Sequence, residues 1–437
     1  MHLTRDEREM LDGKHGYPIQ KSMELLVGLG ECYGAERMIP VASAHVIPNV
    51  SPLGKGGALF IQDMADQGAR FVIPTHTNTL GTDTCSWQYF RTPKEFFQLQ
   101  MKVNESLARM GGLLCNTCTP YLVGHVPRMG EHVSWNESSA IIFANSVFGA
   151  RTNREGGPSA LAAGLTGRAP EFGFHLDQNR HGQLKIVVTA RLEGVHDYGA
   201  LGYFTGKIAE DRVPVFLGIT PSVTWDELKQ LGSACAIAGS VSLFHAVGVT
   251  PEAPTEEAAF GGKKPKDWQT TEFGEKELRQ SQQLLSRATA KEVDIVSLGC
   301  PHASITEIKD IARLISGKKI KPGVELWVAT ATPVKTYAQT LGYVDTIEAS
   351  GGKVISSACP HTVSAGFLEN LGPRVIATNS TKNSLSCTAE GQDVTPHFGS
   401  LERCIAAATS GVWREQTWVR QSSGGIRSPR GRPRERR

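Results

Sequence analysis

The chain has 437 residues, of which 40% are hydrophobic and 20% charged, a composition typical of globular proteins with two or three domains. It has no run of about 18 apolar residues, which excludes a spanning helix, and the charged start MHLTRDEREM argues against a secretory signal, so we expect a cytoplasmic protein. The net charge is +3, but the residues from 421 onward carry +5, which leaves −2 for the rest and gives no reason to expect nucleic acid as a partner.

Four helix starts can be read from capping signals. Thr4–Glu7, Thr224–Glu227 and Ser304–Glu307 each have a hydroxyl at the N-cap and a glutamate three residues later. Thr92-Pro93 predicts a further helix with proline at its first position, which ends at Gly111.

Short apolar runs rich in β-branched residues lie between the helices. They are centred near Val72, Val187, Phe216, Val296, Val328, Ile355 and Ile376. Because their apolar character is continuous and does not alternate, they are typical of strands buried on both faces of a parallel sheet. The fold class is therefore predicted to be α/β, with layered α/β/α domains and mostly parallel sheets.

Composition divides the chain into four parts. Residues 1–250 are predicted to form an N-terminal α/β region, and residues 286–418 a C-terminal α/β domain. Between them, residues 251–285 are rich in Pro, Gly and Lys and favour a linker or surface excursion. Residues 419–437 are rich in Gly, Pro, Ser and Arg, and they favour a disordered tail over an arm that binds nucleic acid.

Three of the nine cysteines share one kind of setting. Cys300 and Cys359 each end a predicted strand and open a Cys-Pro-His segment, and Cys118 lies in NTCTPYL after a helix. Open α/β sheets place their sites beyond the carboxyl ends of strands, so these three side chains can converge. Three thiolates suit an iron–sulfur cluster with one iron left open, whereas full thiolate ligation uses four.

Zinc is the rival reading of the same residues. Cys115-x-x-Cys118 has the spacing of a metal-ligand pair, and His302 and His361 lie close to the other two cysteines. No second CxxC pair is present, so a closed structural zinc site has weaker support.

Polar residues that could bind an anionic substrate concentrate in SWNESSAIIFANSVFGARTNR, residues 134–154. Arginine binds carboxylate and phosphate with two parallel hydrogen bonds, which makes the arginines here the first candidates. We predict catalytic roles for Ser138, Asn145, Arg151 and Lys382. We predict substrate binding by Thr75, Asn78, Ser146, Arg154, His175 and Ser380. The alternative is that these residues have purely structural roles, as helix caps, surface salt bridges and a buried histidine.

The chain resembles the catalytic large part of the aconitase X family over about residues 1–418. The resemblance rests on TCTPYL, WNESSAIIFANSVFGARTNREGG, FGFHLDQNR, DYGALGYFTG, GVTPEAPT, GCPHAS and TNSTKN. It implies an aconitase-like fold and an iron–sulfur cluster, [4Fe–4S] or [2Fe–2S], held at the positions of Cys118, Cys300 and Cys359.

The resemblance also implies an activity and a partner. The family's members dehydrate cis-3-hydroxy-L-proline or (R)-5-phosphomevalonate and pair the large part with a small swivelling domain, which is fused or is a second chain. Only the Arg-rich stretch follows residue 418 here, so we expect a separate small subunit or a truncated sequence. By analogy with aconitases, a catalytic serine comes from that small domain.

We therefore expect a hydro-lyase that removes water from a small hydroxy acid. Two other classes stay open: a non-catalytic scaffold protein with the same fold, and a zinc-dependent hydrolase. Neither a membrane nor a nucleic acid is expected as a partner.

Overall fold

The structure is a computed structural model that describes residues 1–262, 269–362, 374–387 and 394–414. Its helices there are α1 (Arg5–Leu11), α2 (Tyr17–Cys32), α3 (Val50–Asp66), α4 (Lys94–Arg109), α5 (Ser138–Val147), α6 (Gly157–Thr166), α7 (Val195–Ala209), α8 (Trp225–Ala238), α9 (Glu256–Ala259), α10 (Glu275–Leu285), α11 (Ile305–Ile315), α12 (Thr332–Thr340), α13 (Tyr343–Ala349), α14 (Thr381–Ser386) and α15 (Leu401–Ser410). The strands are β1 (Met38–Pro40), β2 (Ala44–Val46), β3 (Thr75–Thr77), β4 (Ser134–Trp135), β5 (Arg168–Pro170), β6 (Leu184–Val188), β7 (Pro214–Leu217), β8 (His245–Ala246), β9 (Thr270–Phe273), β10 (Ile295–Ala303), β11 (Glu325–Thr330), β12 (Lys353–Ser356), β13 (Arg374–Thr378) and β14 (Val394–Phe398).

The larger sheets are parallel. Five strands are ordered β12-β11-β10-β13-β14, four are ordered β8-β7-β6-β9 and three are ordered β3-β2-β4, all with parallel pairing. Only the two-stranded pair of β1 and β5 is antiparallel among the described strands. The predicted α/β class with mostly parallel sheets is therefore confirmed.

Six of the seven predicted strands are present, and the seventh is displaced. The run around Val72 is not a strand; the strand β3 begins at Thr75, and Val72 is 61% exposed. The prediction from its apolar residues was wrong because the segment crosses the surface before it enters the three-stranded sheet. Its backbone bonds the ends of neighbouring helices, as in the Phe71 N–H to Met110 carbonyl bond of 2.9 Å.

The helix starts follow the capping signals closely. The boxes at Thr4–Glu7, Thr224–Glu227 and Ser304–Glu307 all form, each with reciprocal hydrogen bonds between hydroxyl, carboxylate and backbone. The helix α4 begins one residue later than predicted, with Pro93 at the N-cap. The Thr92 hydroxyl lies 3.0 Å from that of Thr82 and does not cap the helix.

The predicted linker at residues 251–285 contains regular structure. It includes α9, β9 and α10, and β9 pairs with β6 along the edge of the four-stranded sheet. Its strand was missed because β9 is an edge strand with mostly exposed polar residues, which gives no apolar run. The predicted tail, residues 419–437, lies outside the described residues. No described helix combines the length and the apolar character needed to cross a membrane.

Two hydrophobic cores pack helices on the four-stranded and five-stranded sheets. One packs α5, α7 and α8 on the four-stranded sheet through residues such as Phe143, Leu201 and Phe216. The other packs α11 and α15 on the five-stranded sheet through Val296 and Ile308. Burying each such side chain contributes about 1.5–3 kcal/mol, so the loops at the strand ends are attached to a rigid support.

Candidate active site

Three cysteine-bearing segments meet where β10 ends. Cys300 lies in β10, Cys118 lies in the loop after α4, and Cys359 follows β12. The backbone N–H of His302 donates to the Cys118 Sγ at 3.3 Å, and the His302 Nε2 lies 2.9 Å from the carbonyl oxygen of Ala358, the residue before Cys359. The structure thus brings together three cysteines from distant parts of the sequence.

The three thiols share a buried environment with a nearby positive charge. Burial, and next the Cys359 thiol, raise the pKa of Cys300 to about 12. Burial also raises the pKa values of Cys118 and Cys359, while the Lys382 ammonium opposes the rise at all three sulfurs. Such thiols become thiolates when a metal supplies positive charge, so the donor set fits a metal cluster.

An ion pair between Lys382 and Glu137 lies beside these thiols. The Lys382 Nζ also donates to Ser139 Oγ at 2.8 Å and to Ser138 Oγ at 3.3 Å, which uses its three donors. Burial opposes charge on both partners, but their attraction raises the pKa of Lys382 and, with backbone amides such as that of Ala140, lowers the pKa of Glu137. Two predicted catalytic residues, Ser138 and Lys382, therefore contact each other.

Glu137 has an unusual backbone. It is the N-cap of α5, with φ of 91°, and its carboxylate accepts a hydrogen bond from the Ala140 N–H at 2.9 Å. Positive φ is costly for a residue with a side chain and is concentrated at functional sites. The carboxylate contacts both Lys382 and the Ala140 N–H at the helix start, and these contacts stabilise the positive-φ conformation.

Ser380 completes the group near the cysteines. Its hydroxyl caps α14, where it accepts from the Asn383 N–H at 3.1 Å, and it opposes the rise in the pKa of the nearby Cys300 thiol. Cys300 therefore has a hydroxyl neighbour supplied by the adjacent strand, β13. Ser380 was predicted to bind substrate, and its hydroxyl accepts from the Asn383 N–H at the start of α14.

The loop after β3 supports the Cys359 segment. The Leu80 N–H donates to the Ser357 carbonyl at 2.7 Å, and the Cys359 N–H donates to the Leu80 carbonyl at 3.3 Å. Asp83 accepts from the Ser356 N–H at 2.8 Å. Asn78, a predicted substrate ligand, directly follows β3 at the start of this loop, and its Oδ1 accepts from the Thr79 N–H at 2.7 Å.

Thr75 lies at the opposite, amino end of the same strand. Its side chain is fully buried, and its hydroxyl donates to the Ile73 carbonyl at 3.0 Å. The placement at the amino end of β3 gives no support to the predicted substrate contact of Thr75.

Other predicted residues gather at the far end of α5. The amide of Asn145 donates to the carbonyls of Thr152 and Ser242 at 2.9 Å each, and its oxygen accepts from the Thr152 N–H and from Arg180. All its hydrogen-bonding capacity is used inside the protein. Ser146 likewise accepts from the Phe244 N–H at 2.9 Å. Both side chains hold the core, which is a role that sequence composition alone does not reveal.

Arg151 and His175 also belong to this far group. Arg151 forms an ion pair with Asp177, and the His175 Nδ1 lies 3.0 Å from the Nδ1 of His132. Burial and the nearby charges of His132, Arg180 and Arg151 lower the pKa of His175 to about 3. A helix of the length of α5 spans about 15 Å, so these residues are separated from the Glu137 end of the helix.

Arg154, in the polar block of residues 134–154, has a guanidinium that is available to bind a ligand. It makes no hydrogen bond or ion pair with any described residue, and it lines a cavity of about 740 Å³ together with Tyr33, Phe172 and Asp211. Burial lowers its pKa, and the charge of Glu137 partly offsets that effect. Its neighbours Thr152 and Asn153 bond the backbone of Trp135 and Phe174 instead.

The geometry weakens the case for a mononuclear zinc site. In the described part of the chain, no three His, Cys, Asp or Glu side chains are placed to hold one metal ion. His302 has partners at both ring nitrogens, Thr117 Oγ1 and the Ala358 carbonyl, each at 2.9 Å. Cysteines of a cluster bind different irons and lie farther apart than the ligands of one ion, so this spacing is compatible with a cluster.

Two contacts of the site were missed by sequence reasoning. The sequence predicts His302 only as a possible zinc ligand, whereas in the structure it connects the cysteine segments. Ser139, which binds Lys382, is not among the predicted residues. The repeated Cys-Pro-His segment was the available signal for His302. For Ser139 the sequence offered only its place in the first turn of α5.

Comparisons with known proteins give one consistent family. Sequence models of aconitase X match the chain in three blocks: the first domain at residues 1–178, the second at 182–283 and the third at 293–410. The crystal structure of Thermococcus kodakaraensis aconitase X in its holo form superposes with a TM-score of 0.82 at 36% identity, covering 93% of this chain and 100% of that one.

Curated relatives carry two kinds of name. The phosphomevalonate dehydratase large subunit of Methanothermobacter thermautotrophicus is 42% identical over 386 residues, which cover 87% of this chain and 92% of that protein. The one from Methanosarcina mazei is 36% identical over 434 residues, covering 95% and 99%. The cis-3-hydroxy-L-proline dehydratase of Pseudomonas aeruginosa is 32% identical over 413 residues, covering 94% of this chain and 70% of that longer protein.

Proposed function

The chain belongs to the aconitase X family of hydro-lyases, and from that premise we propose that it is the large, catalytic part of a phosphomevalonate dehydratase. The relatives with that name are up to 42% identical and are covered almost end to end. The hydroxyproline dehydratase is 32% identical and is covered to 70%. Dehydration of cis-3-hydroxy-L-proline is therefore the second candidate.

The observation that carries the proposal is the meeting of Cys118, Cys300 and Cys359 around His302. These three cysteines would hold an iron–sulfur cluster, [4Fe–4S] or [2Fe–2S], and Lys382 would offset part of the negative charge of its thiolate ligands. When bound, such a cluster supplies an iron that is not saturated by cysteine and acts as a Lewis acid toward the substrate hydroxyl.

The chain's own residues would bind and orient the substrate. Arg154, which has a free guanidinium among the described residues, is the proposed ligand for a carboxylate or phosphate. Lys382 contributes positive charge beside the three cysteines, and its bonds to Glu137 and Ser138 hold the start of α5 in place. Asn78 and Ser380 border the site, and we keep both as proposed substrate contacts.

A second chain would complete the enzyme. The phosphomevalonate dehydratase relatives are named large subunits, and we propose a small swivelling subunit as the partner here. The general base is proposed to come from that subunit. This chain alone is then expected to bind the cluster and to lack turnover.

The test is anaerobic purification of the chain, alone and with its small-subunit partner. Iron, acid-labile sulfide and the visible spectrum report the cluster, and water loss from (R)-5-phosphomevalonate and from cis-3-hydroxy-L-proline reports the substrate. A coloured protein that dehydrates the first substrate supports the proposal. A colourless protein without iron points to a scaffold, and zinc without visible absorbance points to a hydrolase.

A further inference from the structure

The side chain of His302 joins two of the three cysteine segments. It is fully buried, with its Nδ1 2.9 Å from Thr117 Oγ1 and its Nε2 2.9 Å from the Ala358 carbonyl oxygen. The carbonyl can only accept, so the proton is on Nε2, and Nδ1 accepts from the Thr117 hydroxyl. Thr117 and Ala358 are the residues directly before Cys118 and Cys359.

The backbone around His302 is also held by hydrogen bonds. Its N–H donates to the Cys118 Sγ at 3.3 Å, and its carbonyl accepts from the Lys229 Nζ at 3.3 Å. The carbonyl of Cys300 accepts from the Gln230 Nε2 at 3.2 Å. Two consecutive residues of α8 thus anchor the Cys-Pro-His segment from the neighbouring sheet layer.

From these contacts we infer that His302 is a positioning residue, which holds the segments of Cys118, Cys300 and Cys359 at the spacing that the cluster requires. The inference rests on the proposed function. It assigns His302 no contact with substrate and no metal bond, since both ring nitrogens have partners. The ring contacts also hold in place the backbone N–H of residue 302, which donates to the Cys118 Sγ. Hydrogen bonds to ligand sulfurs tune a cluster's electronic properties, so a shift of this N–H after loss of the ring contacts is expected to change the cluster's spectrum.

The experiment compares His302→Phe with His397→Phe in the full chain. His397, which lies in β14, is a matched control: it is also buried, its Nε2 lies 2.8 Å from the Ala290 carbonyl, and its Nδ1 lies 3.5 Å from the Ser286 hydroxyl. Both substitutions keep a ring and remove the same kinds of bond, but the bonds of His302 go to the residues before Cys118 and Cys359, whereas those of His397 go to Ala290 and Ser286.

The readouts are iron and sulfide content after anaerobic reconstitution, the rate of cluster loss to a ferrous-iron chelator, and the electron paramagnetic resonance spectrum. We expect H302F to lose its cluster about ten-fold faster than wild type with an altered spectrum, which is the scale of effect for residues that orient metal ligands. We expect H397F to match wild type in all three. If H302F does not fold, His302→Gln keeps a donor for the Ala358 carbonyl and is expected to show a smaller change in the same direction.

The outcomes separate the two claims. A wild-type protein that takes up no cluster overturns the proposed function and this inference with it. A wild-type protein with a cluster, together with a folded H302F or H302Q that keeps wild-type loss rate and spectrum, overturns the role of His302 alone. Equal acceleration in H302F and H397F also overturns it, because general destabilisation then explains the result.

Discussion

Lys382 and Glu137, 245 positions apart in the chain, form an ion pair that joins the start of α14 to the start of α5. The side chains of Lys382 and Glu137 are only 19% and 10% exposed. A buried pair of this kind contributes little net stability as a whole, but removing one partner leaves the other charge buried alone.

Lys382→Met is expected to lower the free energy of unfolding of the cluster-free protein by about 3 kcal/mol, because it leaves the Glu137 carboxylate buried without a cation. Adding Glu137→Gln removes that charge and is expected to recover part of the loss. Urea unfolding followed by tryptophan fluorescence measures both.

A control pair lies elsewhere in the chain. Lys185 and Glu256 also form an ion pair, with side chains 22% and 33% exposed. Lys185→Met is expected to cost less than about 1 kcal/mol, since solvent screens the charge that remains. Equal losses for K382M and K185M would contradict the interpretation of the Lys382 pair as a buried one.

The convergence of the cysteines could be predicted because it follows from topology. Cys300 and Cys359 end neighbouring runs of continuous apolar residues, and parallel strands place their carboxyl ends at one edge of a sheet. The apolar runs therefore predict the strands, and parallel pairing predicts that the segments after them leave the sheet at the same edge. Cys118 was placed with them by its resemblance in setting.

The roles of the polar block could not be predicted in the same way. Asn145, Arg151 and Arg154 lie within ten residues and look equivalent in sequence. They differ in their tertiary partners. Asn145 is hydrogen-bonded to Ser242 and Arg180, and Arg151 forms an ion pair with Asp177. Those partners come from distant segments whose approach is set by packing, so no local signal identifies them.

Arg154→Ala is expected to lower kcat/KM of the complete enzyme about ten- to a hundred-fold, chiefly through KM, with little change in stability. The reason is that a charged hydrogen bond to an anionic substrate contributes about 1.5–3 kcal/mol and Arg154 has no partner to lose among the described residues. Steady-state assays with the phosphorylated substrate measure this.

Arg151→Ala is the matched comparison, because Arg151 comes from the same block and pairs with Asp177. Its kcat/KM is expected to stay within about three-fold of wild type. A larger loss in R151A than in R154A would restore Arg151 as the substrate ligand and remove Arg154.

Cys118→Ser is expected to remove most of the iron and visible absorbance, because serine replaces a proposed cluster ligand. Cys115→Ser is the control: Cys115 is three residues away and its thiol donates to the Thr77 carbonyl at 3.2 Å. C115S is expected to keep wild-type iron and sulfide. Parallel loss in both variants would favour a site built on the Cys-x-x-Cys pair.

Stability is expected to fall on acidification, and His125 is a defined part of the cause. Its ring stacks on His76 with centroids 3.7 Å apart, and neither of its nitrogens has a hydrogen-bond partner among the described residues. Burial, and next the neighbouring His76, lower the pKa of His125 to about 2. Below the unfolded value of about 6.5, the unfolded chain takes up a proton that the folded chain does not.

The sign follows from that difference: His125 contributes a loss of about 1.4 kcal/mol for each pH unit from about 6.5 downward. His125→Phe is expected to reduce the slope of unfolding free energy against pH by that amount between pH 6 and pH 4, as measured by urea unfolding at each pH. At pH 7.5 the imidazole is neutral in both the folded and the unfolded state. The difference in unfolding free energy between wild type and H125F at that pH therefore reports the change in packing. Parallel curves for wild type and H125F from pH 7.5 to pH 4 would show that this histidine is protonated in the folded protein as readily as in the unfolded one.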